Sequence, residues 1–232
     1  LLYQVIGTSP CEAVAPLLEE YEIPLVAPAT QSGTMSNPTR KFIFHTDTGY
    51  DKQANILIDY IREQNKDARI GLVYQDDDYG ANVLKGIAEA ETRHNIQVQK
   101  EAFQRGATDF VGQVGNLLKG NITHVLIAGV VKEPIYLIGT AGKMGYRPQF
   151  LGLSPTLDHR IPLKLGPVGD GFIAANFAPL WDSDNPVPAL YRELHAKYAD
   201  QEKHQPGMYS YYGFATAHVL IDALKRAGKN LT

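Results

Sequence analysis

Arg69-Ile70-Gly71-Leu72-Val73-Tyr74 runs into the polar turn Gln75-Asp76-Asp77-Asp78-Tyr79-Gly80, and Val83, Leu84, Ile87 and Ala88 then recur at helical spacing. A continuous apolar run, rather than an alternating one, suits a strand covered on both faces. Asp78 is the expected cap of the helix, leaving Tyr79 to face whatever lies above the sheet. Working outward, the same strand-then-helix rhythm repeats. β-rich runs occur at Tyr3–Ile6, Pro24–Ala27, Lys41–His45, Val98–Phe103, His124–Ile127, Phe150–Gly152 and Gly171–Phe177. Phe110, Val111, Val114, Leu117 and Leu118 share one helical face, and Tyr211–Leu224 is apolar on nearly all sides, as in a buried central helix. Alternation of this kind predicts an α/β chain with doubly wound parallel sheets. Three stretches break the rhythm: Gln31–Arg40, after which the strand Phe42–His45 is a candidate crossing between lobes, then Leu153–Pro167, and Ala178–Val187, near which a lobe boundary is expected.

Composition excludes several classes. With 22 basic and 25 acidic residues the net charge is −3, so nothing electrostatic points to nucleic acid or an anionic membrane. No apolar run approaches the roughly 18 residues of a membrane span. One cysteine, Cys11, rules out a disulfide scaffold and a Cys-rich zinc site. The chain opens on a strand already in progress, Leu1-Leu2-Tyr3-Gln4-Val5-Ile6-Gly7. An internal portion of a longer protein is therefore expected, with a mature start after processing as the alternative.

Ser9-Pro10-Cys11-Glu12 follows the first strand and reads as a capping box with Ser9 as the cap. At the carboxyl end of a parallel strand, the same helix start favours an anion. Ala27-Pro28-Ala29-Thr30-Gln31-Ser32-Gly33-Thr34 follows the second strand in the same way, and two Ser/Thr-bearing loops side by side make a carboxylate cradle. The Asp76–Asp78 run lacks the spacing of a calcium loop, and the seven histidines form no H-E-x-x-H, so no metal and no cofactor are expected. Gly152-Leu153-Ser154-Pro155-Thr156 imitates a nucleophile elbow without its last glycine, and Pro155 removes a needed backbone N–H. With no dinucleotide or P-loop fingerprint either, no catalytic residue is assigned, and a binding protein remains.

Taken in order, Val5-Ile6-Gly7, Ala13-Val14-Ala15-Pro16, Ile23–Thr30, Phe42–Thr46, Arg69–Gly80, Ala107-Thr108-Asp109-Phe110 and Tyr211–Gly228 resemble the type I periplasmic binding proteins, in the branch serving branched-chain amino acid ABC transporters (the Leu/Ile/Val-binding type). The resemblance covers essentially the whole chain. It implies two Rossmann-like lobes joined by a hinge, with residues 1–46 and 174–232 in a first lobe lacking its opening strands and 47–173 in the second. It further implies that Thr8 and Ser9 hold a ligand carboxylate, in a loop shorter than the family's Ser-rich form, and that Ala29 and Thr30 complete the cradle. Tyr79 matches an aromatic that closes over the ligand, and Val130 stands where another aromatic is common. Ser154 stands where an acidic residue pairs with the ligand ammonium. With Asp47, Asp78, Glu133 and Asp158 as the remaining candidates for that role, an amine-free organic acid is expected first and a branched-chain amino acid second.

The implied partners are a small carboxylate ligand bound between two lobes and the membrane permease subunits of an ABC importer, with no nucleic acid and no membrane insertion of this portion. The implied protein is a monomer, periplasmic or extracellular, with a lipid anchor before Leu1 as an open alternative. Two other readings stand beside it: a ligand-sensing domain of a receptor or transcriptional regulator, and an α/β hydrolase built on Ser154.

Overall fold

The computed structural model describes residues 1–200 and 202–229; the remaining positions of the expected 174–232 segment lie outside the described residues. The chain divides into two compact units. Unit 1 comprises Leu1–Thr30, Met35–Asp47 and Phe177–Thr232, and unit 2 comprises Gln31–Thr34 and Thr48–Asn176.

Unit 2 is a doubly wound sheet. Its elements are α2 (Tyr50–Gln64), β4 (Ile70–Gln75), α3 (Asp78–His94), β5 (Gln99–Phe103), α4 (Val111–Lys119), β6 (His124–Ala128), α5 (Lys132–Lys143), β7 (Gln149–Gly152), α6 (Arg160–Leu165) and β8 (Ile173–Ala174). The strands run in the order β5-β4-β6-β7-β8, all neighbours parallel. Helices cover both faces. Tyr50, Leu57, Ile58 and Ile61 of α2 with Val83 and Ile87 of α3 bury one face of the sheet. Phe110, Val114 and Leu117 with Leu137 and Ile138 of α5 bury the other. This is why β4 and β6 are apolar through their centres: Leu72, Val73, Leu126 and Ile127 are all fully buried.

Unit 1 holds β1 (Leu2–Tyr3), α1 (Thr8–Glu20), β2 (Leu25–Val26), β3 (Ile43–Phe44), α7 (Pro186–Tyr198) and α8 (Met208–Ala227). Its sheet is parallel with order β1-β2-β3, and Cys11, Ala15, Leu18, Leu25, Met35 and Ile43 form its core. The strand read as a candidate crossing pairs within this sheet, Ile43 opposite Leu25, and the chain passes from unit 1 to unit 2 after Asp47.

Three local expectations are corrected. Ser9 does not cap α1: the helix begins at Thr8 behind Gly7, whose φ of 102° turns the chain early, and no side chain caps it. Asp77 rather than Asp78 caps α3, accepting from the N–H groups of Tyr79 at 3.0 Å and Gly80 at 3.3 Å. The helix read as buried on all sides, α8, buries only Tyr211 and Thr216 among its described residues, and Val219, Ile221 and Leu224 are 40–47% exposed. An apolar helix is covered only where neighbouring elements reach it; here Tyr3 and Gln4 hydrogen-bond to Thr216, and Tyr191 of α7 packs on Tyr211. No described helix is long and apolar enough to cross a membrane.

Two predictions follow from this packing. In α3, a Cβ on Gly86 would lie 2.1 Å from the Asp51 carbonyl oxygen of α2, whereas Gly115 in α4 has open space. Gly86→Ala should therefore destabilise by about 1–3 kcal/mol through overpacking, while Gly115→Ala should stabilise by about 0.5–1 kcal/mol through helix propensity; urea midpoints check the opposite signs. Cys11 is fully buried, its Sγ–H directed at the Val5 carbonyl 3.2 Å away. Burial, aided by the nearby Glu12 charge, pushes its thiol from 9.0 up to about 11. The folded chain thus holds this proton more tightly than the unfolded chain. The corresponding stability is complete below pH 9 and is lost as pH rises toward about 11. A thiol reagent at pH 8 should leave native Cys11 unmodified and label it after denaturation.

Candidate functional site

In unit 1 the groups of interest collect where the parallel strands end. An isolated bridge between Ile6 and Ala29 aligns the loops after β1 and β2, with Gly7 N donating to the Ala29 carbonyl at 3.1 Å and Ala29 N to the Val5 carbonyl at 2.9 Å. That register brings Thr8 and Thr30 together. Their hydroxyls share a hydrogen bond of 2.8 Å, and both residues are buried. His45, after β3, donates from Nε2 to the Thr30 carbonyl at 2.9 Å, which ties the third loop to the same point. Ser9 follows Thr8 in the first turn of α1 and is half-buried. The amides of Thr8 and Ser9 fall outside the helix's own ladder, and Pro10 has none. The helix start therefore presents N–H groups and the positive end of its dipole. Beside Asp47, unit 1 also has a cavity of about 200 Å³ lined by Phe177, Met208, Tyr211 and Tyr212. Tyr212 donates its hydroxyl to Asp47 at 2.6 Å and meets Phe177 edge-on at 5.7 Å.

In unit 2 the strand order reverses at β4, with β5 on one side and β6 on the other. In open α/β sheets, ligands sit in the crevice that such a reversal opens at the carboxyl edge. Tyr79 and Val130 follow the two strands that flank this point. Tyr79 is 5% exposed, with its ring 4.5 Å from that of Tyr50 and its hydroxyl donating to the Gly129 carbonyl at 3.4 Å. The aromatic expected to face the space above the sheet is thus packed into the core, because the Asp77 cap starts α3 directly over the strand end. Val130 is half-buried and donates its N–H to Glu133 at 3.2 Å.

Ser154 follows β7 on the same edge, and it is buried. Its N–H donates to Gln53 Oε1 at 2.9 Å and its hydroxyl to Gln31 Oε1. Gln53 Nε2 donates to Gln31 Oε1 and to the Thr48 carbonyl, both at 2.9 Å. The partners of Ser154 are carboxamides, not a histidine, so the elbow-like sequence is no hydrolase site. Gln31 and Gln53 were not singled out from sequence. The only signal was the position of Gln31 next to Thr30 in a small, polar loop.

Of the acidic residues considered as substitutes for a counter-charge, Asp47, Glu133 and Asp158 are engaged. Glu133 is buried and also accepts from Gly106 N–H at 3.1 Å. Asp158 is paired with Arg160 at 2.6 Å. Burial opposes its ionisation, but the Arg160 hydrogen bonds prevail and hold its carboxyl below the usual range. Asp78 is exposed at the start of α3. Among the described residues, no group of three His, Cys, Asp or Glu side chains is placed to hold a metal.

Comparison with known proteins agrees with this architecture. A Leu/Ile/Val-binding protein homolog 2 of Brucella abortus is 24% identical over 210 residues, covering 89% of this chain and 54% of that protein. The chain thus spans about half the length of that curated relative. The crystal structure of a branched chain amino acid ABC transporter from Thermus thermophilus with bound valine matches at a TM-score of 0.86 and 22% identity, over 99% of this chain and 59% of that one. A solute binding protein from R. palustris in complex with benzoate matches at a TM-score of 0.79 and 16% identity, over 94% and 60%. The family model for periplasmic binding proteins matches residues 1–232. The chain belongs to the periplasmic binding protein family, with the α/β architecture of its type I members.

Proposed function

We propose that this chain is part of the solute receptor of an ABC importer, working in the periplasm or at the cell surface, and that its solute is a small carboxylate without an amine. The ligand carboxylate meets the amides of Thr8 and Ser9 and the Thr30 hydroxyl. The Ala29 loop sets the distance of approach there. Tyr79, Val130 and Ser154 are the candidate ligand residues of unit 2. Affinity then comes from charge-assisted hydrogen bonds and burial, with no covalent step.

The observation that carries the choice of solute is Ser154. Its hydroxyl and N–H are committed to neutral carboxamides. An ammonium buried beside it would find no opposite charge on Ser154, Gln31 or Gln53, and unpaired burial is costly. The fold itself admits both classes, since the Thermus thermophilus protein holds valine and the R. palustris protein holds benzoate.

A thermal-melt panel of benzoate, 4-methylpentanoate, leucine and valine against the full-length protein tests this. A ligand at 100 times its Kd adds about 2.7 kcal/mol, a rise of several degrees in the melt. A simple acid should give that rise; a strong shift with leucine and none with either acid overturns the reading. Thr30→Val should weaken acid binding by about 1–3 kcal/mol, because a bond to a charged group is lost and the Thr8 hydroxyl is stranded. Titration calorimetry that finds affinity unchanged removes Thr30 from the site.

A further inference from the structure

Gln31 has a feature that the proposed site does not yet use. Its side chain is 7% exposed, and its orientation follows from the backbone. The Ser154 N–H can only donate, so the Gln53 atom it meets at 2.9 Å is an oxygen. Gln53 therefore presents its NH₂ to its other partners, and the Thr48 carbonyl at 2.9 Å requires the same assignment. The Gln31 atom that receives this NH₂ at 2.9 Å must then be oxygen as well. The Ser154 hydroxyl adds a second donor to that oxygen. Rotating the Gln31 amide by half a turn would set NH₂ against NH₂. The main chain is also held, with Tyr50 N donating to the Gln31 carbonyl at 2.7 Å.

Both hydrogens of Gln31 Nε2 are left over. This nitrogen has no protein partner among the described residues, yet it is not sealed from solvent. A carboxamide more than nine-tenths buried, held at its oxygen by two donors, thus offers a fixed pair of N–H groups at the carboxyl edge of the unit 2 sheet.

We infer that Gln31 is a specificity-determining residue whose Nε2 donates to an oxygen acceptor of the solute, an oxo or carboxylate oxygen, and disfavours an ammonium at the same place. The inference rests on the solute-binding reading above and adds a residue and a selection rule to it. A donor that cannot become an acceptor discriminates strongly, because the wrong ligand group leaves both partners unpaired.

The test uses ligand pairs with one skeleton, 4-methyl-2-oxopentanoate with leucine and phenylpyruvate with phenylalanine, measured by calorimetry on the full-length protein. The native protein should bind the better oxo acid at least tenfold more tightly than its amino acid. Gln31→Glu keeps one oxygen for Ser154 and Gln53 and turns the other into a charged acceptor, so the ratio should move at least tenfold toward the amino acid. Gln31→Met, an uncharged variant that tolerates burial, should lose at least tenfold for the oxo acid with no gain for the amino acid. A native preference for the amino acids, or ratios within threefold of native in the variants that fold, overturns the role of Gln31. The carboxylate-receptor reading fails separately, and this role with it, if no acid in either set binds.

Discussion

Strand addition reverses direction at β4, and the loops at one edge of unit 2 take their positions from that reversal. β5 lies on one side of β4 and β6 on the other, so the connections leaving β4 and β6 diverge at their carboxyl ends. The α3 helix starts immediately beyond β4, close enough that a Cβ on Gly80 would lie 1.8 Å from the Gln75 carbonyl oxygen. Only glycine permits that approach. The close start draws Tyr79 down onto Tyr50 and places its hydroxyl at Gly129, the residue after β6. The two loops flanking the reversal are thereby linked through one aromatic side chain. A tyrosine so held is a firm wall of the unit 2 core rather than a mobile group.

Next to that wall, burial of polar groups is arranged without net charge. Gln31, Gln53 and Ser154 are each buried, and the hydrogen bonds among them satisfy both oxygens, one amide nitrogen, one hydroxyl and one backbone N–H. An ionised group there would need a partner of opposite sign, since desolvating a lone charge costs several kcal/mol. Carboxamides avoid that penalty while still fixing direction, because each has one accepting and one donating end. A buried network of this kind is stable only when its members are satisfied together. A change at any one of the three residues therefore propagates to the other two.

Much of this architecture was legible in the residues. Runs such as Ile70–Tyr74 and Val125–Ile127 are apolar on both faces because helices cover both, and that requirement writes itself directly into composition. Local ends were less legible. Asp76, Asp77 and Asp78 are equivalent as letters, and the cap is decided by which one has extended backbone as the helix begins; Asp77 does, with φ −158°. Ser9 looked like a cap because Gly7's φ of 102°, which starts the helix one residue earlier than Ser9, is invisible in a string. The exposure of α8 was hidden for a related reason, since an apolar helix reports what it would prefer to contact and not what is there. Gln31 was hardest to see. A glutamine in a polar loop has no period, and its meaning comes from Gln53, 22 residues away, and Ser154, 123 residues away.

Under the proposed reading, the polarity of the hydrogen bonds in each unit, taken by itself, sets which charge a solute group there can carry. At the start of α1 the available groups are backbone N–H and hydroxyl, backed by the positive end of the helix dipole. At Gln31 the available group is a second pair of N–H donors. Both favour oxygen and negative charge. A carboxylate gains about 1.5–3 kcal/mol from each charge-assisted bond it makes there. An ammonium in place of an oxygen meets donors with donors, and its unpaired burial outweighs the gain from one such bond. Side-chain rotation cannot repair the mismatch, because the direction of the network is inherited from the Ser154 main-chain N–H. Replacing the acceptor in such a site takes a change of residue, and Gln31 is the position where one oxygen for one nitrogen would suffice.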